Sequence, residues 1–435
     1  MNPTSDPRNE THVTRREFVR TTAGLTAAAA FPLIPTTAWA TASAHIAGSD
    51  VIRVGLIGCG GRGTGAALQS LAAAPETQIV ALADVFNDRL QGSRSYIASS
   101  ERGKVDEAHC YVGFNAYQQL LDHAEVDLVI LATPPHFRPI HLEAAIKAGK
   151  HVFMEKPVAV DATGIRKVIA AGEAAKAKNL SIVSGTQRRH EACYLAAMER
   201  VRHGAIGEVR AARCYWNQGG LWMNERQPEW SDMEWQLRNW LYFTWLSGDH
   251  ITEQHVHNLD AVNWAMGGPP IKAMGMGGRQ VRTSPAYGHI FDHFSIEYQY
   301  ANGAFLQSMC RQIDGCASRV EEVVHGSEGM LHTTSGYAEI TGTNAWRFDG
   351  DNPDPYVQEH IDLIASVRSK AGLNEARRVA ESTLTAIMGR MSAYTGQEVT
   401  WEQAMNSKED LSPQAYEFAP LLMPPVAVPG RTPLV

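Results

Sequence analysis

Short apolar runs alternate with longer amphipathic stretches in the part of the chain that follows residue 50. The apolar runs lie at 51–57, 78–83, 127–132, 151–154 and 181–184, and helix-like segments lie between them, notably at 138–148 and 163–178. A short continuous apolar run is typical of a strand buried on both faces, and strands that alternate with helices favour a parallel sheet covered on both sides. The pattern therefore predicts a doubly wound α/β domain over residues 50–186.

The pattern changes at about residue 205, where strand-like stretches become dominant. They lie at 208–215, 271–281, 292–300, 304–310 and 320–326, and turn signals such as Ala301-Asn-Gly separate several of them. A helical segment near 253–266 interrupts the series, and two more helices near 356–370 and 374–394 follow it. We expect a second α/β domain over residues 187–400, with a largely antiparallel open sheet covered by helices. The Pro- and Leu-rich tail, 401–435, is expected to be extended and to serve as an arm onto a partner subunit.

Residues 1–40 have the order of signals found in an exported protein. Thr14-Arg-Arg-Glu-Phe-Val-Arg20 contains an arginine pair, an Ala-rich apolar segment follows, and Ala38-Trp-Ala40 is a small-x-small cleavage site. The apolar segment is short for a membrane span. We therefore predict a twin-arginine signal peptide and a periplasmic or otherwise exported protein. That pathway carries proteins that have already folded.

The composition of the chain limits the classes of partner that it is expected to bind. The 435 residues carry a formal net charge of −7, and no basic block stands out, so nucleic acid and anionic membranes are not expected as partners. The six cysteines are scattered without a C-x-x-C spacing. A disulfide, with Cys310 and Cys316 as the nearest pair, and free buried thiols both stay open.

The first apolar run opens directly into a glycine turn, Gly58-Cys-Gly60-Gly61-Arg62-Gly63, and the second run ends in Asp84. The three spaced glycines permit a tight turn, close approach of the backbone to a pyrophosphate, and close packing of the following helix, whose N–H groups face the anion. An acidic residue after the second strand accepts hydrogen bonds from a ribose and repels a 2′-phosphate, which favours NAD over NADP. The combination predicts a dinucleotide-binding βαβ unit.

Two further strand ends carry polar groups. In an open parallel sheet, ligands bind beyond the carboxyl ends of the strands. The third run ends in Ala132-Thr133-Pro134-Pro-His136, and the fourth ends in Met154-Glu155-Lys156-Pro157. We expect both segments to contact the cofactor, with Lys156 as an ammonium group beside its reactive end. The alternative is a surface Lys–Glu pair.

A second group of candidates lies on the helix predicted near 253–266. Glu253, His257, Asp260 and Trp264 would share one helical face, so a carboxylate would lie one turn on either side of the imidazole. Such carboxylates orient a histidine and raise its pKa toward the working pH. A metal site built from Glu253, His257 and neighbouring histidines is the alternative, but no third ligand converges, and we predict no metal.

Residues 215–245 contain six of the ten tryptophans, together with amides and arginines. Aromatic faces with amides would suit a sugar, whereas the same residues could equally pack a core or an interface. Trp216 and Asn217 are the predicted substrate contacts from this region. Gln187, Arg188 and Arg189 follow the last strand of the first domain and are predicted to line the same cleft.

These motifs together resemble the glucose–fructose oxidoreductase/inositol dehydrogenase (Gfo/Idh/MocA) family. The most specific part is Ala148-Gly-Lys-His-Val-Phe-Met-Glu-Lys-Pro157, and the resemblance covers roughly residues 51–400. It implies a Rossmann domain, a second α/β domain whose open sheet often mediates oligomerisation, a substrate pocket between them, and a homo-oligomer such as a dimer or tetramer. It also implies NAD(P)-dependent chemistry on sugars, cyclitols or related polyols.

The resemblance assigns roles by motif. Lys156 matches the family's lysine that contacts cofactor and substrate hydroxyl, and His257 matches its catalytic histidine. Glu253 stands where the family usually has Asp, which extends the carboxylate by one methylene. Arg138 stands where the family frequently has a histidine, so that contact stays open.

Three functions follow as hypotheses. The first is hydride transfer between a carbohydrate carbinol and tightly bound NAD, with His257 as the base, aligned by Glu253 or Asp260, and Lys156 stabilising the alkoxide. The second is an NAD-dependent glycosidase that uses transient oxidation and elimination. The third is a non-catalytic sugar-binding protein, which the retained lysine and histidine disfavour.

Overall fold

Six parallel strands form the first sheet, in the order β3-β2-β1-β4-β5-β6. They are β1 (Ile52–Ile57), β2 (Thr77–Asp84), β3 (Cys110–Val112), β4 (Leu128–Leu131), β5 (His151–Met154) and β6 (Ile182–Ser184). The computed structural model describes residues 51–122 and 125–435, so the predicted leader at 1–40 lies outside the described residues. The three-residue strand β3 is too short to leave a hydrophobic period, and sequence analysis missed it.

Helices connect these strands and cover both faces of the sheet. They are α1 (Gly61–Ala73), α2 (Asn87–Ile97), α3 (Ala116–Leu121), α4 (Arg138–Lys147) and α5 (Ala162–Ala177). Every residue of β4 is buried, as a strand covered on both faces requires. The predicted parallel α/β domain is confirmed.

One face of this sheet is completed by a helix from far along the chain. Helix α11 (Pro355–Ser369) packs against α1. Its Leu363 and Ile364 are buried in the same apolar cluster as Val54 and Leu56 of β1. The sequence-based boundary at 186 does not include this helix, because its amphipathic pattern does not tell which sheet it covers.

A second, nine-stranded sheet has the order β14-β13-β12-β11-β7-β10-β9-β8-β15. Its strands are β7 (Val209–Gln218), β8 (Lys272–Gly278), β9 (His293–Gln299), β10 (Phe305–Gln312), β11 (Arg319–Gly326), β12 (Gly329–Thr334), β13 (Tyr337–Gly342), β14 (Trp346–Arg347) and β15 (Val399–Thr400). All neighbours are antiparallel except β7 and β10. The expected largely antiparallel sheet is confirmed.

The remaining helices follow β6 along the chain. They are α6 (Ala192–Arg202), α7 (Asp232–Arg238), α8 (Thr244–Ser247), α9 (His250–Glu253), α10 (Val256–Met266), α12 (Ala376–Thr395) and α13 (Trp401–Asn406). The prediction of one helix near 253–266 is wrong in one respect. A turn at Gln254 and His255 separates α9 from α10, and the N–H of His255 donates to the carbonyl of His250 at 3.2 Å, outside the α-helical i−4 pattern.

The tail beyond α13 packs along its own chain, and its contact with a partner subunit stays a prediction. Leu411, Tyr416 and Leu421 join an apolar cluster built from residues 233–246, together with Phe86, Phe114 and Phe137 of the parallel domain. In the part of the chain that the structure describes, no helix combines the length and apolar character needed to cross a membrane.

Candidate active site

The glycine turn after β1 has the shape that a dinucleotide requires. Gly58 has φ +101°, and a Cβ there would lie 2.6 Å from the backbone of Ala132 and Thr133. A Cβ on Gly63 would lie 1.8 Å from the carbonyl oxygen of Gly58, so the start of α1 can approach β1 only without a side chain. The N-terminal turn of α1 has no side-chain cap and no acidic residue. Its N–H groups are therefore available to an anion such as a pyrophosphate.

Asp84, at the end of β2, fixes the turn. One carboxylate oxygen accepts from the N–H of Cys59 at 2.6 Å, and the other accepts from the N–H of Phe86 at 2.8 Å. Burial raises the pKa of Asp84, and these two N–H groups oppose that rise. Asp84 also lines the cavity described next, so its position fits the ribose of a dinucleotide.

A cavity of about 570 Å³ extends along the carboxyl ends of the parallel strands. This volume lies in the range of cofactor and ligand sites. The predicted cofactor residues that line it are Gly58, Gly60, Gly61, Arg62, Asp84, Thr133 and Pro134. His141, Phe86 and Trp222 also line it, and sequence analysis assigned none of them to the cofactor. The uncapped helix, the two glycine contacts and this cavity fit an NAD molecule.

His136 is not among the residues that line the cavity. Its Nε2 lies 2.7 Å from the hydroxyl of Tyr416, and its ring packs against Trp245. Burial lowers the pKa of His136 to about 4, so the ring is neutral at pH 7. The structure therefore places His136 against the tail, while His141, one helical turn further on, faces the cavity.

The side chains of Arg62 and Glu155 pair with each other. Arg62 also donates to Glu359 of α11 at 3.1 Å and to Gln69 at 2.5 Å. Burial raises the pKa of Glu359 well above its usual value, and the charge of Glu155 raises it further. This group ties the glycine turn, β5 and α11 together next to Lys156.

Arg138 acts on the same strand ends. Its guanidinium is fully buried and donates to the carbonyls of Leu131 and Thr133 at 2.7 Å and of Glu155 at 2.8 Å. It therefore holds the segments after β4 and β5 in register. Arg138, which stands where a histidine is frequent in the family, thus supports the backbone of the site.

Lys156 and His257, the predicted catalytic pair, are not among the residues that line the cavity. The ammonium of Lys156 donates to the carbonyl of Glu253 at 2.8 Å and lies 3.4 Å from its carboxylate. Burial lowers the pKa of His257 well below its usual value, and the charge of Lys156 lowers it further. Its ring lies against Trp216, with 5.7 Å between the centroids. Among the described residues, no side chain or backbone group hydrogen-bonds the imidazole. It is a neutral proton acceptor.

Neither predicted carboxylate contacts His257. Glu253 is on the separate helix α9 and pairs with Lys156. Asp260 is buried and accepts from Arg189 at 2.8 and 3.0 Å, from Arg378 at 3.2 Å and from Ser382 at 2.7 Å. Burial raises the pKa of Asp260, but the two guanidinium groups outweigh it and lower the pKa overall.

The predicted substrate residues separate into two groups. Arg188 is buried, pairs with Glu322 of β11, and has its guanidinium 5.7 Å from the ring of Trp216. Trp216 lies on the face of β7 that α10 covers, so Asn217, the next residue of the strand, points to the opposite face.

The last two members of the loop after β6 also have protein partners. Arg189 is bound to Asp260. The amide nitrogen of Gln187 donates to the hydroxyl of Tyr356 at 3.2 Å. Of the substrate set, Trp216 therefore lies directly against His257, and Arg188 supports it.

The histidines of the alternative metal site point to different partners. His250 contacts Asp249, and His255 contacts Ser308 at 2.7 Å. Within the described ranges, no group of three or more His, Cys, Asp or Glu side chains is arranged to hold a metal ion. All six cysteines are free.

A parallel domain with a nucleotide-shaped groove, joined to a sheet domain that supplies a histidine, defines a two-domain dinucleotide-binding protein. The oxidoreductase family model with an NAD-binding Rossmann fold, GFO_IDH_MocA, matches residues 52–184. The GFO/IDH/MocA C-terminal domain matches residues 194–332. The two models together cover more than half of the chain, which belongs to the Gfo/Idh/MocA family.

The individual relatives resemble this chain only at low sequence identity. Inositol 2-dehydrogenase 3 of Saccharopolyspora erythraea is 29% identical over 58% of this chain and 64% of its own length. A glycosyl hydrolase family 109 protein of Solibacter usitatus is 26% identical over 43% of this chain and 42% of its own length. The matches thus span less than two thirds of these relatives. The aldose-aldose oxidoreductase of Caulobacter crescentus has the same fold, with a TM-score of 0.63, 18% identity, and coverage of 80% of this chain and 99% of that one.

Proposed function

We propose that this protein is an NAD-dependent oxidoreductase that oxidises or reduces a carbinol of a sugar, cyclitol or related polyol. The observation that carries the proposal is the groove shaped for a dinucleotide, whose lining residue Arg62 pairs with Glu155, the residue directly before Lys156. Asp84 supports NAD rather than NADP, because a carboxylate at that position repels a 2′-phosphate. The inositol dehydrogenase relative supports the polyol class.

Bound NAD would supply the hydride acceptor for oxidation or, as NADH, the hydride donor for reduction. The chain's own residues would manage the hydroxyl group. His257 accepts the hydroxyl proton, and its neutral state leaves a lone pair free for that purpose. Lys156 donates a hydrogen bond to the oxygen as negative charge develops on it, while Glu253 holds the ammonium in place. Trp216 packs on the imidazole and limits its rotation.

The second candidate is an NAD-dependent glycosidase, which the glycosyl hydrolase family 109 relative favours. In that reaction, oxidation of one sugar carbinol to a ketone would acidify a neighbouring C–H bond. Removal of that proton would expel the aglycone, water would add to the resulting unsaturated ketone, and return of the hydride would restore the carbinol. His257 and Lys156 would serve both reactions. The purified protein should be incubated with sugars and glycosides, and its nicotinamide absorbance and its products followed. A keto-sugar or net NADH supports the dehydrogenase, free aglycone without net redox change supports the glycosidase, and a protein without bound nicotinamide contradicts both.

We also propose export through the twin-arginine pathway and assembly into a homo-oligomer. The sequence of residues 14–40 supports export, and an intact mass that starts after Ala40 in the exported protein would test it. Exposed Met274 and Met276 on β8, with Phe305 and Met309 on β10, lie on the open face of the nine-stranded sheet and suit a second copy of this chain. Light scattering of Met276→Glu should report a smaller particle than the wild type.

A further inference from the structure

The tryptophan-rich segment between β7 and α8 lies over the nucleotide groove. Residues 219–243, here called the excursion, contribute Trp222, Asn224, Leu237, Arg238 and Trp240 to the lining of the 570 Å³ cavity. Asp84 and Phe86, which follow β2, line the same cavity. The end of β2 is where a Rossmann domain holds the adenosine ribose. The excursion therefore faces the adenosine half of the cofactor site.

The position of Trp222 is built into the excursion. The hydroxyl of Tyr242 donates to the carbonyl of Trp222 at 2.7 Å, and the side-chain amide of Asn239 accepts from the N–H of Asn224 at 2.8 Å and donates to its carbonyl at 3.1 Å. Trp240 lies 6.4 Å from Trp222, centroid to centroid. Although its backbone is held, the Trp222 side chain is 47% exposed, which is unusual for so large an aromatic group.

An ion pair fastens the excursion to the parallel domain. Arg238 donates both terminal nitrogens to the carboxylate of Asp88, at 3.1 and 3.2 Å, and its guanidinium lies 4.0 Å from the ring centroid of Phe86. Bidentate pairs of this kind fix the relative orientation of the two side chains in addition to stabilising their contact. Asp88 is in the first turn of α2, only four residues after Asp84.

The tail adds a second fastening on the outside of the same region. Phe418 stacks on Phe86 at 5.8 Å and packs against Phe114 at 5.1 Å. The N–H of Leu421 donates to Asp232 at 3.1 Å, and its carbonyl accepts from Gln236 at 3.0 Å. The tail therefore bridges the excursion and the strand ends that flank the adenosine position.

We propose that Trp222 and Trp240 bind the adenosine half of the dinucleotide, and that the Arg238–Asp88 pair keeps this wall closed so that the cofactor is retained between turnovers. The inference rests on the proposed NAD chemistry. It differs from a sugar-binding role for these tryptophans. A substrate must reach Lys156 and His257, and neither Lys156 nor His257 lines the cavity that Trp222 and Trp240 line. Aromatic faces suit a purine base, because stacking of a base on an aromatic ring does not require hydrogen bonds to the edge of the base.

Cofactor exchange tests the proposal without any substrate. Wild type and the variants Trp222→Ala, Trp240→Ala and Asp88→Asn are loaded with isotope-labelled NAD and chased with unlabelled NAD, and the bound label is quantified by mass spectrometry. Each variant should release NAD at least about tenfold faster than the wild type. Trp346→Ala is the matched control, since Trp346 packs against Arg200 away from the groove, and it should release NAD at the wild-type rate. Far-UV circular dichroism verifies folding, and Trp222→Phe, which keeps a ring, should give an intermediate rate.

Binding of ADP separates the two halves of the cofactor. The tryptophan variants should weaken ADP binding at least about tenfold and leave binding of nicotinamide mononucleotide unchanged. Wild-type ADP affinity and exchange rates in both alanine variants would overturn the inference while leaving the proposed function intact. A wild-type protein that binds no NAD would overturn the proposed function as well.

Discussion

Glu322 is the clearest test of how the second domain supports the site. It is buried on β11 and pairs with Arg188, while Tyr194 donates to it at 2.8 Å, Asn258 at 2.6 Å and Thr333 at 2.9 Å. Asn258 is the neighbour of the candidate base, and Arg188 lies beside the tryptophan that packs on that base. Replacing Glu322 with Gln keeps the shape of the side chain and removes its charge.

The expected cost comes from the partner that is left behind. Arg188 is only 5% exposed, and it would remain in the core without a carboxylate. Breaking a buried ion pair by neutralising one member costs about 3–5 kcal/mol, whereas replacing both members is often nearly neutral. That loss is a large part of a typical free energy of unfolding of about 5–15 kcal/mol. We therefore expect Glu322→Gln to be strongly destabilising, and the double variant Glu322→Gln/Arg188→Met to recover most of the loss.

Urea unfolding followed by tryptophan fluorescence and far-UV circular dichroism measures the loss in the single variant and the recovery in the double variant. Glu143→Gln is the matched control, because Glu143 is exposed on α4, and it should change the free energy of unfolding by less than about 0.5 kcal/mol. A loss below about 1 kcal/mol for Glu322→Gln, or a double variant no more stable than the single one, would refute the reasoning.

Three other predictions concern the groove and its supports. Lys156→Ala should lower turnover at least about a hundredfold while NAD stays bound, and near-normal turnover would remove the lysine from the mechanism. Gly63→Ala should abolish NAD binding in equilibrium dialysis, because its Cβ would lie 1.8 Å from a carbonyl oxygen, whereas Gly92→Ala on α2, with open space around it, should bind normally. Burial opposes protonation of His190, but Glu375 and Asp362 outweigh it and raise its pKa to about 10. The stability that this histidine contributes is thus fully present below pH 6.5 and is lost toward pH 10, so the difference between wild type and His190→Gln should shrink over that range, and a constant difference would contradict it.

The fold class and the groove could be predicted because their signals are local in sequence. A strand, a glycine turn and the start of a helix are adjacent in the chain, so the spacing from Gly58 to Gly63 already specifies their geometry. The same holds for Lys156, which directly follows a strand. The antiparallel sheet was predictable from strand-like runs and turns, although the pairing of β7 with β10 was not.

The partners of the site residues could not be predicted, because they come from distant parts of the chain. Asp260 was expected to align His257, which lies three residues earlier in the chain. Its carboxylate instead accepts a hydrogen bond from Arg378, which is 118 residues away in sequence. Helical periodicity gives the face of a helix, not what packs on that face. The tail is a similar case, since nothing in its composition indicates that Tyr416 meets His136.

The placement of Glu253 explains how the site keeps its two functional groups in different states. A carboxylate bonded to His257 would stabilise the imidazolium and raise the pKa of the ring. Here the carboxylate pairs with Lys156 instead, and His257 has Lys156, Arg188 and Arg62 as its charged neighbours. Burial lowers the pKa of the imidazole, and these cations lower it further. Environments that separate a proton acceptor from a cationic donor in this way are what acid–base chemistry on a hydroxyl group requires.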